Sequence, residues 1–98
     1  MKIEFTNRAV RDLREISSYC RRQFGDRVTA ALEARMRDAV ANIADFPERA
    51  ARVEGRPGIR VVPLVRYPFK IFYRIIGDTV RIVHIRHAAR RPWSGGAQ

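Results

Sequence analysis

Hydrophobic and polar positions alternate with two different periods along this chain. "KIEF" near the N-terminus places Ile3 and Phe5 on one side of a short strand. Thr6 or Asn7 then offers a helix N-cap. From there Val10, Leu13, Ile16 or Ser17, Cys20 and Phe24 recur at helical spacing, with Arg8, Arg11, Arg14, Glu15, Arg21 and Arg22 between them. Gly25 suits the residue that ends such a helix, and Asp26 suits the cap of the next. Val28, Leu32, Met36, Ala39 or Val40, Ile43 and Phe46 make a second apolar stripe, closed by Pro47. A two-residue "GD" joint between two helices predicts an antiparallel αα-hairpin.

The period then falls to two. "PERAARVEGRPG" reads as a polar loop carrying Arg49, Arg52 and Arg56. "IRVVPLV" reads as a strand, and Pro63 confines it to an edge or a bulge because proline cannot donate to a ladder. "FKIFYRII" and "TVRIVHIRH" flank a Gly77–Asp78 turn and predict a hairpin. Both strands are apolar on both rows: Phe69, Ile71, Tyr73 and Ile75 against Phe72 and Ile76, then Val80 and Ile82 against Val83 and Ile85. Such strands call for cover on both faces. The predicted order is β-α-α-β-β-β, an α+β fold with the helical hairpin packed on one face of a small, mostly antiparallel sheet. No further element remains to cover the second face, which points to a partner. Residues 1–93 are expected to form one domain and 94–98 a flexible tail.

Charge sharpens this picture. The 98 residues carry 20 basic and 10 acidic side chains, a net charge of +10. All but Lys2 and Lys70 among the basic residues are arginine. Arginine presents a planar fork that matches carboxylate and phosphate, so an anionic partner is expected: nucleic acid or an acidic protein segment. The one cysteine, Cys20, lies on an apolar stripe and excludes an internal disulfide. Neither a membrane-length apolar run nor a signal-peptide core is present, and a cytoplasmic location is expected.

Candidate chemistry is sparse. His84 and His87 stand three apart on one strand, so they face opposite ways and make a poor metal pair. No metal and no cofactor is expected. "GRPG" lacks the spacing of a phosphate loop, and most acids look like helix-surface partners of arginine. What remains is a basic cluster at the end of the sheet: Arg66, Lys70, Arg74, Arg86, His87, Arg90 and Arg91, with Trp93 just beyond. Such a cluster can bind phosphates, stabilise a phosphorane during RNA cleavage, or dock an acidic peptide.

The element order, "LREISSYCRRQFG" and "FKIFYRIIGDTVRIVHIRHAARRPW" together resemble the RelE/ParE superfamily of type II toxin–antitoxin toxins. The resemblance covers nearly the whole chain. It is sharpest at Phe69, Lys70, Ile71 and Tyr73, then His87 and Arg90. It implies a cognate antitoxin laid across the toxin. RelE-like members are ribosome-dependent mRNA endonucleases, and Lys70 and Arg90 match two of their basic positions, with His87 as a possible acid or base. Two further lysines of that set fall near Val61 and Pro63, and the tyrosine expected after the last strand is absent. ParE-like members lack the nuclease set and are associated with inhibition of DNA gyrase, so the resemblance favours a ParE-like toxin in a plasmid-stabilisation module. The alternatives are the ribosome-bound nuclease and a non-toxic nucleic-acid-binding module.

Overall fold

The computed structural model describes residues 1–88. Five strands and one broken helix follow the order β1 (Lys2–Phe5), α1 (Asn7–Asp45), β2 (Ala51–Arg52), β3 (Arg60–Pro63), β4 (Phe69–Ile76) and β5 (Thr79–His87). The sheet order is β1-β5-β4-β3-β2, with β1 parallel to β5 and the other pairs antiparallel. The α+β class and the helical hairpin on a mostly antiparallel sheet are as expected. The extra strand is β2, hidden in the polar loop: two residues paired with Arg60 and Val61 carry no apolar period to betray them.

Thr6 caps α1 by accepting from Ala9 N at 3.1 Å. Gly25 breaks the helix with φ 87 and ψ 176, a region that side chains with a Cβ essentially never enter. A Cβ there would meet nothing within 4 Å, so the demand for glycine is conformational and not steric. The two arms, residues 7–24 and 26–45, fold back on each other. Ser17 Oγ donates to Glu33 Oε2 at 2.9 Å across the joint. Phe46 N closes the second arm on Asn42 O.

Ala9, Cys20, Leu32, Met36 and Ile43 from the arms meet Ile71, Tyr73, Val80, Ile82 and Ile85 from the sheet. Phe24, Val28 and Phe46, assigned to apolar stripes by spacing, are exposed. Two of them, Phe24 and Val28, lie beside the Gly25 joint. Phe46 instead carries the Arg49 guanidinium 4.0 Å over its ring.

The last strand departs from simple alternation. Phe72 pairs with His84 but Tyr73 pairs with Ile82, so Val83 is the extra residue of a β-bulge. The bulge shifts the phase of everything after it. Ile85 therefore joins Val80 and Ile82 on the helix face, correcting the expectation that they lie on opposite rows. The second face thereby has one apolar side chain fewer, Ile85, than the period alone implied. Pro63 ends β3 beyond the last β2 pairing, so no neighbour asks it for a donor. Gly77 alone has positive φ in the β4–β5 loop, as a type II′ turn requires. No described helix is long and apolar enough to cross a membrane.

Candidate functional site

The face of the sheet turned away from the helices carries the charge. Strand register sets Lys70 beside Arg86, Phe72 beside His84 and Arg74 beside Arg81. Alternation along β4 puts Lys70, Phe72 and Arg74 opposite to the core residues Ile71 and Tyr73. The Phe72 and His84 rings stack with centroids 5.7 Å apart, and the Arg86 guanidinium lies 5.6 Å from the Phe72 ring. Arginine thus covers an aromatic, with its own Nε buried in the process. Arg81 Nε donates to Glu4 Oε1 on β1, which draws that arginine towards the other sheet edge.

Holding this face in place falls to the first arm of α1. Pairing between β1 and β5 ends at Ile82, which would leave the rest of the β5 edge bare. Thr6 N donates to Ile82 O at 3.0 Å and Thr6 Oγ1 to Val83 O at 3.1 Å. Asp12 Oδ2 then accepts from Ile85 N at 3.0 Å and contacts His84 Nδ1 at 2.8 Å. An ionised carboxylate can only accept, so Nδ1 is the donor. Two side chains from a helix thereby replace the neighbour strand that β5 lacks. Sequence reading did not single out Asp12. Its spacing from Ala9, Leu13, Ile16 and Cys20 puts it on the buried stripe, and that was the signal to follow.

A cleft of about 730 Å³ lies between this arm and the end of β5, with Arg8, Glu15, Tyr19, Arg22, Phe69 and His87 on its walls. His84 also lines it, and it is buried and in hydrogen-bond contact with Asp12.

The predicted site residues separate into groups. Lys70 and Arg86 are neighbours on the open face. Arg66 sits in the β3–β4 connection at the same end of the sheet. His87 reaches that end too, but it pairs with Phe69, in T-shaped contact at 5.5 Å, and so belongs to the other face. Arg74 shares the open face with Lys70 yet stands four residues along, roughly 13 Å at strand rise. It belongs to the middle of the sheet beside Arg81 and not to the end cluster, a correction that follows from strand geometry. Arg90, Arg91 and Trp93 lie outside the described residues. On β3, Val61 stands opposite Phe72 and Pro63 opposite Lys70. Among the described residues no group of three or more His, Cys, Asp or Glu side chains is arranged to hold a metal.

The fold matches solved structures of toxin–antitoxin systems. The structure superposes on the chromosomal ParDE system from Pseudomonas aeruginosa with a TM-score of 0.80 at 24% identity, covering 89% of this chain and 95% of that one. The intact Escherichia coli RelBE complex gives 0.62 at 18% identity, with 91% and 98% covered. The RelBE2 complex from Mycobacterium tuberculosis gives 0.60 at 25% identity, with 91% and 92% covered. The fold is that of the RelE/ParE toxins. In sequence, the chain is 33% identical over 90 residues to the toxin RelE2 of Caulobacter vibrioides, spanning 91% of this chain and 97% of that protein. Residues 3–92 match the family described as ParE toxin of type II toxin–antitoxin system, parDE. The chain belongs to the ParE toxin family.

Proposed function

We propose that this toxin arrests growth by binding DNA gyrase through the open basic face of its sheet and is neutralised by a cognate antitoxin. Lys70, Arg74 and Arg86 supply the charge on that face and Arg66 extends it at the turn; Arg90, Arg91 and Trp93, basic and aromatic residues that follow in sequence, are proposed to serve the same binding. One observation carries the preference for binding over RNA cleavage. Lys70 and His87, the described members of the candidate nuclease set, stand on opposite faces of the sheet, and Val61 and Pro63 occupy the positions where two more lysines are expected. The acid–base groups described on the open face are already engaged, Glu4 by Arg81 and the buried His84 by Asp12, so that face suits holding an anion better than moving a proton. Gyrase as the target comes with the ParE branch of the family.

The antitoxin has an apolar seat available. A groove of about 600 Å³ runs between the two arms and β1, lined by Ile3, Phe5, Leu13, Ile16, Leu32 and Met36. Ser17, Glu33 and Arg37 stand at its polar margin. An amphipathic antitoxin helix would bury its apolar side there. The ribosome-dependent nuclease is kept as a second reading because the Caulobacter relative carries the RelE name.

Induction in bacteria, with plasmid supercoiling and protein synthesis followed separately, tests the reading. Disturbed supercoiling before any loss of translation is the expected result. Arrested translation with unchanged supercoiling would replace gyrase with the ribosome.

A further inference from the structure

The connection between β3 and β4 holds a backbone conformation that its sequence does not favour. Tyr67 N donates to Leu64 O at 3.4 Å, which closes a β-turn with Val65 and Arg66 at its centre. Arg66 has φ 73, and it is the one non-glycine residue with positive φ among the described residues. Turns with positive φ at this third position are built for glycine or asparagine. A longer side chain there crowds its own backbone. The turn is nevertheless firmly tied: Leu64 N donates to Phe69 O at 2.8 Å and Phe69 N to Tyr67 O at 2.9 Å, and Leu64 is buried. Neither central residue contributes to the core. Val65 is 63% exposed, and Arg66 is exposed as well. Strain that the core does not use is a mark of function.

Position and charge indicate what the turn is for. Phe69 pairs with His87, and Ala88 N donates to Pro68 O at 2.6 Å, so the turn shares its end of the sheet with Lys70 and Arg86. Beyond Glu54 the sequence carries nine basic residues and one acid, Asp78. That acid sits in the β4–β5 turn, at the opposite end of the sheet. Such an excess of positive charge suits an anionic partner. An exposed valine beside an exposed guanidinium suits a protein surface, where the apolar contact is dry and the fork meets carboxylates. A phosphate backbone draws on charge alone and leaves the valine without a role.

We propose that the Val65–Arg66 turn is a recognition tip that meets an acidic patch on the toxin's target protein. Arg66 holds a left-handed backbone conformation and is exposed at the centre of the turn. The proposal rests on the reading of this chain as a toxin that works by binding. The decisive variant is Arg66→Gly in the full chain, which frees the backbone and removes the charge together. It is expected to raise the melting temperature by about 4–8 °C and to increase survival after induction at least tenfold. Arg66→Asn, tolerant of the same φ but uncharged, should lose arrest equally. Arg66→Lys should retain part of it, because the charge remains without the fork.

Full arrest by Arg66→Gly would overturn the proposal, and so would a lower melting temperature, which would show that arginine stabilises the turn. Steeply salt-dependent binding of naked DNA or RNA by the purified protein, weakened by Arg66→Gly, would assign the tip to nucleic acid and overturn it too. If the parent toxin leaves supercoiling untouched while Arg66→Gly still abolishes arrest, gyrase is the wrong target and the tip stands. Disturbed supercoiling by parent and variant alike sinks the tip alone.

Discussion

On the helix side of the sheet, Ile71, Tyr73, Val80, Ile82 and Ile85 are at most 2% exposed and pack against both arms of α1. On the other side the same strands present Lys70, Arg74, Arg81 and Arg86 around the stacked pair Phe72 and His84. One face removes apolar area from water and fixes the fold. The other keeps a row of guanidinium and ammonium groups that repel one another and add little to folding. Charge retained where it does not help the fold is available for a partner, and that division of labour can be tested substitution by substitution.

The largest effect belongs to the helix face. Ile82→Ala should cost about 2–5 kcal/mol, because it opens a cavity where the arms leave no room to collapse. Urea denaturation would measure it. Toxicity should fall only with the folded fraction, and a selective loss of toxicity in still-folded protein would break the comparison.

Asp12 joins the two faces, and Asp12→Ala comes next. It leaves the Ile85 N–H without its acceptor and His84 without its carboxylate, at about 1–3 kcal/mol. Hydrogen exchange at Ile85 should accelerate more than exchange in β4. Uniform acceleration would show that the arm does not replace a strand locally.

A smaller effect sits at Tyr73. Its hydroxyl donates to Pro47 O at 2.5 Å, tying the loop after α1 to the sheet, and Tyr73→Phe should cost about 1 kcal/mol. Burial raises this phenol above its usual pKa, and the positive Arg60 pulls the other way by a lesser amount. The folded state therefore holds the proton after the unfolded chain has released it. Stability is complete below about pH 10 and declines as pH rises past it. Tyr73→Phe should remove that alkaline decline, as denaturation midpoints across pH would reveal.

Much of this was legible in the sequence because it depends on period. Helical spacing of apolar residues gave the two arms, Gly25 gave their joint, and Gly77 gave the hairpin. The β-bulge was not legible. Val83 is an ordinary strand residue, and nothing in its type marks it as the one without a partner. With it went the true row of Ile85. Ala9 and Thr29, both buried, escaped notice because one is small and the other polar. The basic cluster was visible as composition, but its division between faces was not. His87 pairs with Phe69 and Lys70 with Arg86, one register step apart, and only the pairing of β4 with β5 shows that this step puts them on opposite faces. Arg66 looked like any other arginine until the backbone gave its φ.

The smallest effect on stability belongs to the open face, and there the comparison is sharpest. The double variant Lys70→Ala/Arg74→Ala touches no core contact and should hold its stability within about 0.5 kcal/mol per site. Growth after induction of that variant is the measurement to make. Lost arrest in a protein that melts like its parent is the predicted result. Full arrest would show that the target is met elsewhere on the molecule and would contradict the account.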